Sequence, residues 1–446
     1  LAVAPETSNS SDLTYGRIFQ LYWPLALSWT LMAVEMPIAL YFISRMPANE
    51  IQTAALQIVM AISIFVESPV IDLLSTSTAL SKNRSHYLTL RRFVFYLMVW
   101  VTAVHALIAF TPLYGVVTLS PYLLNLEPAV AEAARLPLMI MTTWSAFIAW
   151  RRYSQGILIR AGVTRPISVG TAIRATVILV VVGGLYWRGG IPGATVAGVA
   201  LALSAAVESV FIHLVTRPII ARRFDRDDRG EENAGRLSMG RLFKFHAPLA
   251  AATAVMLLAP PAVSFALARL PNPVVSLGAW QAASSIIFLF RTFTMALPEA
   301  VIALYKQASD EAVLRRFCSL VGGSMSLLMM LLVLTPLDTF VFTRVFTYDA
   351  EFARVAGLAI LFSFLLPFLN AQMSFLRGML TVTGRTVARF MAILVAVGSL
   401  VLFLRIGLET EVLGVIVAGI SLTLAMIAEM IALQWIWSRH RRRQAA

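Results

Sequence analysis

Several charged residues stand where an apolar chain leaves little room for charge. F-V-E-S-P-V-I-D, residues 65–72, places Glu67 and Asp72 either side of Pro69; Glu35 precedes Pro37 by two residues; Arg174 and Arg291 interrupt apolar runs. A charge deep in a bilayer costs a few kcal/mol or more, so each such group needs an ion, a partner or a wet cavity. The chemistry open to them is capture and release. A carboxylate takes up H+ or Na+, and an arginine grips phosphate or carboxylate with its planar fork. Asp72 shares a helical face with Ser68, Ser75 and Thr76, at i−4, i+3 and i+4. Pro69 donates no hydrogen bond and frees a carbonyl near residue 65. This set reads either as an ion-coupling site or as hydroxyl bonding that pins helix packing. Glu67 lies about 140° round the helix from Asp72, so it joins that face only if Pro69 distorts it. Glu35, at a proline-bent position, is a third ion-coupling candidate, or else a solvated acid low in a cavity.

These groups must be held by membrane-spanning helices. The chain of 446 residues is 59% hydrophobic and 13% charged, with mean hydropathy +0.79, whereas a soluble domain is about a quarter charged. Runs about twenty residues long fall near 18–44, 53–80, 92–114, 132–153, 165–187, 192–216, 242–268, 276–304, 317–342, 352–376, 387–406 and 412–437. The expectation is an all-α polytopic membrane protein with twelve transmembrane helices.

The twelve divide into two copies of six. G-R-I-F-Q-L-Y-W-P-L-A at 16–26 answers G-R-L-F-K-F-H-A-P-L-A at 240–250, a shift of 224 residues that also superposes Pro37 on Pro261, Arg45 on Arg269, L-R-R-F at 90–93 on 314–317, and T-P-L at 111–113 on 335–337. The shift becomes 222 at G-I-L-I-R-A-G (156–162) and 221 where Gly193 and Glu208 meet Gly414 and Glu429. Six crossings are an even number, so both copies enter from one side, and a pseudo-twofold axis along the membrane normal relates them. The expected organisation is a tail (1–16), an N-lobe (17–216), a charged linker (217–240), a C-lobe (241–437) and a basic tail (438–446). Pro37, Pro69, Pro260, Pro261 and Pro298 are the expected hinges.

Charge sets orientation and excludes other classes. Of the 36 lysines and arginines, 27 fall on the side of the two ends and six on the other, which places both termini in the cytoplasm of an inner or plasma membrane. The formal charge of +13 is therefore a topology signal, with lipids as partners and no nucleic acid. The polar first dozen residues read as a tail with no signal peptide. One cysteine, Cys318, and five scattered histidines offer no metal site. No G-x-x-x-x-G-K-[ST] occurs, so ATP is not the direct drive. No catalytic residue is expected, and an intramembrane enzyme is a remote alternative. No cofactor is expected beyond bound Na+ or H+, and the chain is expected to act as a monomer.

The second copy answers Glu67 with Arg291 and Asp72 with Ala296. Glu67 and Arg291 then either face each other across a central cavity as a gate or each pair within its own lobe, Arg291 with Glu299 for example. Arg291, Arg174 and Arg160 are the substrate-binding candidates, although Arg160 also fits a positively charged loop with Arg151, Arg152 and Arg165. Glu208 and Glu429 recur in both copies about 22 Å into their spans. They are expected at the interface, in salt bridges with loop arginines.

With W-P-L-A at 23–26, S-P-V-I-D at 68–72, Q-G-I-L-I-R at 155–160 and the glycine-rich 414–429 stretch ending in Glu429, the chain resembles the multidrug/oligosaccharidyl-lipid/polysaccharide (MOP) exporter superfamily. Its fold looks MATE-like and its motifs are most similar to the Ank (progressive ankylosis) type, with Ser68 in place of a glycine and Arg160 in place of a lysine. The resemblance implies an alternating-access exporter of a small organic or phosphate-containing anion, coupled to H+ or Na+ through N-lobe carboxylates. A flippase for a lipid-linked head group and efflux of organic cations are its alternatives.

Overall fold

A computed structural model of the chain describes residues 13–161, 163, 165–226, 237–305, 307, 309–383 and 386–445. Helix is the only regular secondary structure among them. Among the described residues eleven helices are long and apolar enough to cross a membrane, and the chain is an integral multi-pass membrane protein. The twelfth span, the fourth in order, is also present: Pro128–Ile140, a 3-10 turn Met141–Thr143, then Trp144–Arg160. It is less apolar because it carries Glu132, Arg135, Arg151 and Arg152.

The helix bounds repeat at the offsets read from the sequence. Span 1 (Tyr15–Ala33, Glu35–Ile43) is matched by span 7 (Met239–Met256, Ala259–Leu267), and span 2 (Asn49–Ile71, Leu73–Leu80) by span 8 (Pro273–Met295, Leu297–Leu304). Trp144–Arg160 of span 4 is matched by Leu366–Val382 of span 10, whose first half is Ala350–Leu361. Spans 3 (Arg84–Phe110), 5 (Arg165–Arg188) and 6 (Gly193–Arg226) correspond to spans 9 (Asp310–Leu334), 11 (Thr386–Gly407) and 12 (Gly414–Ala445). Even the caps recur. Thr14 and Ser238 each accept a bond from the amide three residues on, as helix N-caps do. Ala48 and Asn272, which open spans 2 and 8, both adopt φ 52°.

Spans 1, 2, 7 and 8 are broken beside their prolines, because proline cannot donate the i→i−4 bond. The breaks fall at Val34, ahead of Pro37; at Asp72, after Pro69; at Leu257–Leu258, ahead of Pro260-Pro261; and at Ala296, ahead of Pro298. Spans 2 and 8 pack on each other at the centre, flanked by spans 1 and 7. Within each lobe the interior lies between spans 2, 4 and 6, or 8, 10 and 12. The linker differs from expectation: span 6 continues as helix to Arg226, and residues 227–236 lie outside the described ones, as do residues 1–12 of the tail. Beyond 438 the chain continues span 12 as helix to Ala445.

Gly156 lets span 4 lie against the second half of span 2. A Cβ there would come 2.6 Å from the Leu74 carbonyl oxygen and 1.9 Å from Ser77 Oγ. At its repeat mate Gly378 the nearest atom would be Val301 Cγ1, at 2.8 Å, a side chain with room to turn. Gly156→Ala is expected to destabilise the protein by about 1–3 kcal/mol, and more than Gly378→Ala. Thermal unfolding of the two variants in detergent checks the order.

Candidate functional site

The N-lobe interior holds six charges from five spans. Glu35, at the break of span 1, receives a two-pronged grip from Arg174 of span 5: Arg174 Nε donates to Oε1 at 2.7 Å, and a terminal nitrogen donates to Oε2. Arg174 also stands 3.6 Å from Glu208 of span 6, which accepts from Arg151 of span 4 at 2.7 Å. Glu67 of span 2 lies in the field of Arg152, Arg151 and Arg174, yet it makes no ion pair within 4 Å among the described residues, and its buried Oε2 has no hydrogen-bond partner. Three carboxylates thus face three guanidinium groups. The set is neutral as a whole, with Glu67 its loosely held member.

Two sequence expectations are corrected here. Glu208 is 0% exposed and Glu429 5%, so both sit in lobe interiors and not at the interface. Their partners are helix arginines: Arg151 and Arg174 for Glu208, Arg377 for Glu429. Arg151 and Arg152 are therefore not loop residues; the second half of span 4 runs unbroken to Arg160. Arg160 itself donates to the Thr78 and Ala79 carbonyls at 3.1 and 3.3 Å. It closes the C-terminal end of span 2 and stays apart from the charge cluster.

The C-lobe repeats the position but not the balance. Arg291, the mate of Glu67, lies among Arg377 and Glu429, and Arg377 grips Glu429 through Nε at 3.1 Å and a terminal nitrogen. Arg291 makes no ion pair within 4 Å among the described residues, and its buried Nε has no hydrogen-bond partner. Glu67 and Arg291 therefore do not form a pair across the lobes in this structure; each belongs to its own lobe. Nor does Glu299 form an ion pair with Arg291; the charges acting on Arg291 are those of Arg377 and Glu429. Two guanidinium groups face one carboxylate, which leaves one positive charge in excess.

The hydroxyl set around Asp72 divides. The helix breaks at Asp72 (φ −79°, ψ 2°), which removes the shared face: Ser75 is exposed while Ser68 and Thr76 are buried. Asp72 and Thr76 turn to the other lobe. Thr253 donates to Asp72 Oδ2 at 2.6 Å, and the Thr76 hydroxyl meets His246 Nδ1 at 2.9 Å. His246 Nε2 lies 2.7 Å from the Pro69 carbonyl, which can only accept. Nε2 therefore carries the hydrogen, and Nδ1 of the neutral ring accepts from Thr76.

This contact has a repeat mate. Tyr22, 224 residues before His246, donates to the Phe293 carbonyl at 2.5 Å, and Phe293 is the mate of Pro69. At the opposite ends of the spans, Arg45 donates to the Val345 carbonyl at 2.6 Å, and its mate Arg269 donates to the Pro121 carbonyl at 2.5 Å. Val345 and Pro121 are again 224 apart. Side chains of each lobe thus clasp main-chain carbonyls of the other at both ends of the interface. None of the clasp residues was marked from its chemistry, although the matched pairs Tyr22–His246 and Arg45–Arg269 stood in the alignment of the two halves.

With this geometry, solved structures sharing the architecture can be compared. The chain aligns with an inward-facing multidrug-resistance MATE family transporter of the MOP superfamily at TM-score 0.65 and 15% identity, covering 94% of this chain and 97% of that one. It aligns with the lipid II flippase MurJ in an inward closed conformation at TM-score 0.70 and 13% identity, covering 93% and 87%. A third match is a MOP superfamily transporter from Pyrococcus furiosus described by a binding pocket of reversed polarity, with TM-score 0.57, 16% identity and 95% coverage of both chains. The chain shares the fold of these transporter and flippase structures. No family model and no curated protein sequence matches the chain, so the likeness is one of architecture. On the MOP frame the charged centres occupy the two lobe interiors and the clasps occupy the seam between the lobes.

Two outcomes are expected. Arg174→Gln strands Glu35 and takes one partner from Glu208, which should cost about 3–5 kcal/mol; adding Glu35→Gln should recover part of that loss in detergent unfolding. In a Cys318→Ser background, spin labels at the exposed mates Gly16 and Gly240 report separation of the lobes on that side. Tyr22→Phe and His246→Leu should each favour the longer distance, roughly fivefold for the loss of about 1 kcal/mol of hydrogen bonding.

Proposed function

We propose that the protein is a secondary-active, alternating-access exporter of a small organic or phosphate-containing anion. The observation that carries this reading is the unequal charge of the two lobe interiors. The C-lobe centre has one guanidinium, that of half-buried Arg291, without a carboxylate of its own and with its inner Nε unbonded, and a charge left unpaired there calls for a counter-ion. An anion supplies it, and the planar fork suits phosphate or carboxylate. The neutral N-lobe set suits coupling. Glu67 is its one carboxylate without an ion pair within 4 Å, so taking up H+ or Na+ there changes the charge felt by Arg151, Arg152 and Arg174. That network extends through Glu35 to the break of span 1, which bears on the lobe seam. Glu35 and Asp72 serve as positioning groups in this scheme, one locked to Arg174 and the other bonded across the seam. Both termini lie in the cytoplasm, following the count of lysines and arginines. The Ank-type motifs agree with an anionic substrate.

A lipid-linked head group is the second reading, favoured by the TM-score of 0.70 to MurJ and by the same unpaired arginine. Proteoliposomes loaded in turn with pyrophosphate, a nucleotide, citrate and a cationic dye, under imposed proton or sodium gradients, separate the readings. One of the anions should move. Arg291→Gln should cut its transport at least tenfold, and Glu67→Gln should abolish acceleration by the gradient. Movement of the dye alone, or translocation of a labelled lipid with no anion transport, would overturn the proposal.

A further inference from the structure

The duplication also reproduces a groove on the outer flank of each lobe, between spans 3, 4 and 6 and between spans 9, 10 and 12, and the two copies differ in chemistry. The N-lobe groove, about 590 Å³, is lined by Arg84, Tyr87, Arg91, Trp150, His213 and Arg217. The C-lobe groove, about 370 Å³, keeps one of these cations, Arg315 in place of Arg91. It has Gln372, Gln434 and Ser438 where the N-lobe has Trp150, His213 and Arg217. No carboxylate lines the N-lobe groove among the described residues. Aromatic contacts brace its lining: Arg91 lies over the Tyr87 ring at 5.7 Å, Tyr87 stacks on Tyr153 at 6.2 Å, and Trp150 packs on His213 at 5.5 Å.

The position of the groove identifies its ligand. It lies where span 3 begins and span 6 nears its end, on the same side as Tyr15. Apolar surface continues from it along span 6, where Val210 and Leu214 are 54% and 55% exposed, and Leu88 flanks it on span 3. The Arg91 and Arg217 guanidinium groups at a membrane surface beside an apolar track fit a phosphate group carrying acyl chains. We infer that this groove is a binding site for the phosphate head group of an anionic membrane lipid, specific to the N-lobe, with the acyl chains lying along span 6. It is separate from the central charges and does not depend on the transport reading.

The test is native mass spectrometry of the full protein in detergent, titrated with phosphatidylglycerol or cardiolipin and with phosphatidylcholine as control. The anionic lipids should bind in preference, and added salt should weaken them. Arg91→Gln with Arg217→Gln should weaken binding roughly thirtyfold, at about one kcal/mol for each arginine near the surface, while Arg315→Gln should leave it unchanged. Arg91→Lys with Arg217→Lys keeps the charge and should retain most of the binding. Equal binding of phosphatidylcholine, an unchanged double glutamine variant, or equal loss in Arg315→Gln would overturn the assignment. Competition by inorganic phosphate at concentrations matching the lipid would also overturn it, in favour of a soluble phosphate.

Discussion

Buried charge within a lobe has to be compensated there, and much of the architecture follows from that requirement. In the N-lobe the compensation runs as a chain: Glu35 to Arg174, Arg174 to Glu208, Glu208 to Arg151, with Glu67 and Arg152 alongside. It ties spans 1, 5, 6 and 4 together through their interiors, where hydroxyl and amide side chains would hold far less strongly. Removing one member leaves another uncompensated in a low-dielectric interior. The chain thus ties four spans of the lobe together, with one loosely held carboxylate, Glu67, beside it.

The seam between the two lobes is built differently. Its clasps join neutral donors, or arginines near the span ends, to main-chain carbonyls, at roughly 1–3 kcal/mol apiece, and side-chain bonds such as Thr253–Asp72 and Gln57–Ser264 lie between them. Each clasp has a mate 224 residues away, so neither lobe is the fixed partner. The breaks of spans 2 and 8 lie just beyond two of those carbonyls, Pro69 and Phe293, in keeping with the rule that irregular backbone at membrane depth is tolerated only inside protein. Duplication has preserved the frame and the clasps while the charges diverged: Glu67 against Arg291, Glu35 against Ala259, Arg217 against Ser438.

The frame was legible in the sequence because apolar length and repeated motifs fix it. The spans, the two copies and the proline breaks of spans 1, 2, 7 and 8 could be read from prolines and offsets alone. The charge sets could not, because pairing depends on which helix faces which. Arg151 and Arg152 read as part of a basic loop because they adjoin Arg160 and Arg165, but span 4 carries them into the lobe. Glu208 read as interfacial from its distance along the span, without knowledge that Arg174 and Arg151 converge on it. Asp72 appeared to share a face with Ser75 only on an unbroken helix. Tyr22 and His246 carried no chemical signal; their meaning lies in carbonyls that the breaks expose on the other lobe.

The central claim is that the unpaired Arg291 holds the anion while the neutral N-lobe set does not. The most direct measurement is a cryo-electron-microscopy structure of the protein with pyrophosphate bound. The account predicts density for the anion within hydrogen-bonding distance of the Arg291 guanidinium, with the Glu35–Arg174 pair intact. Density seated against Arg174 with Glu35 displaced, and none beside Arg291, would contradict it.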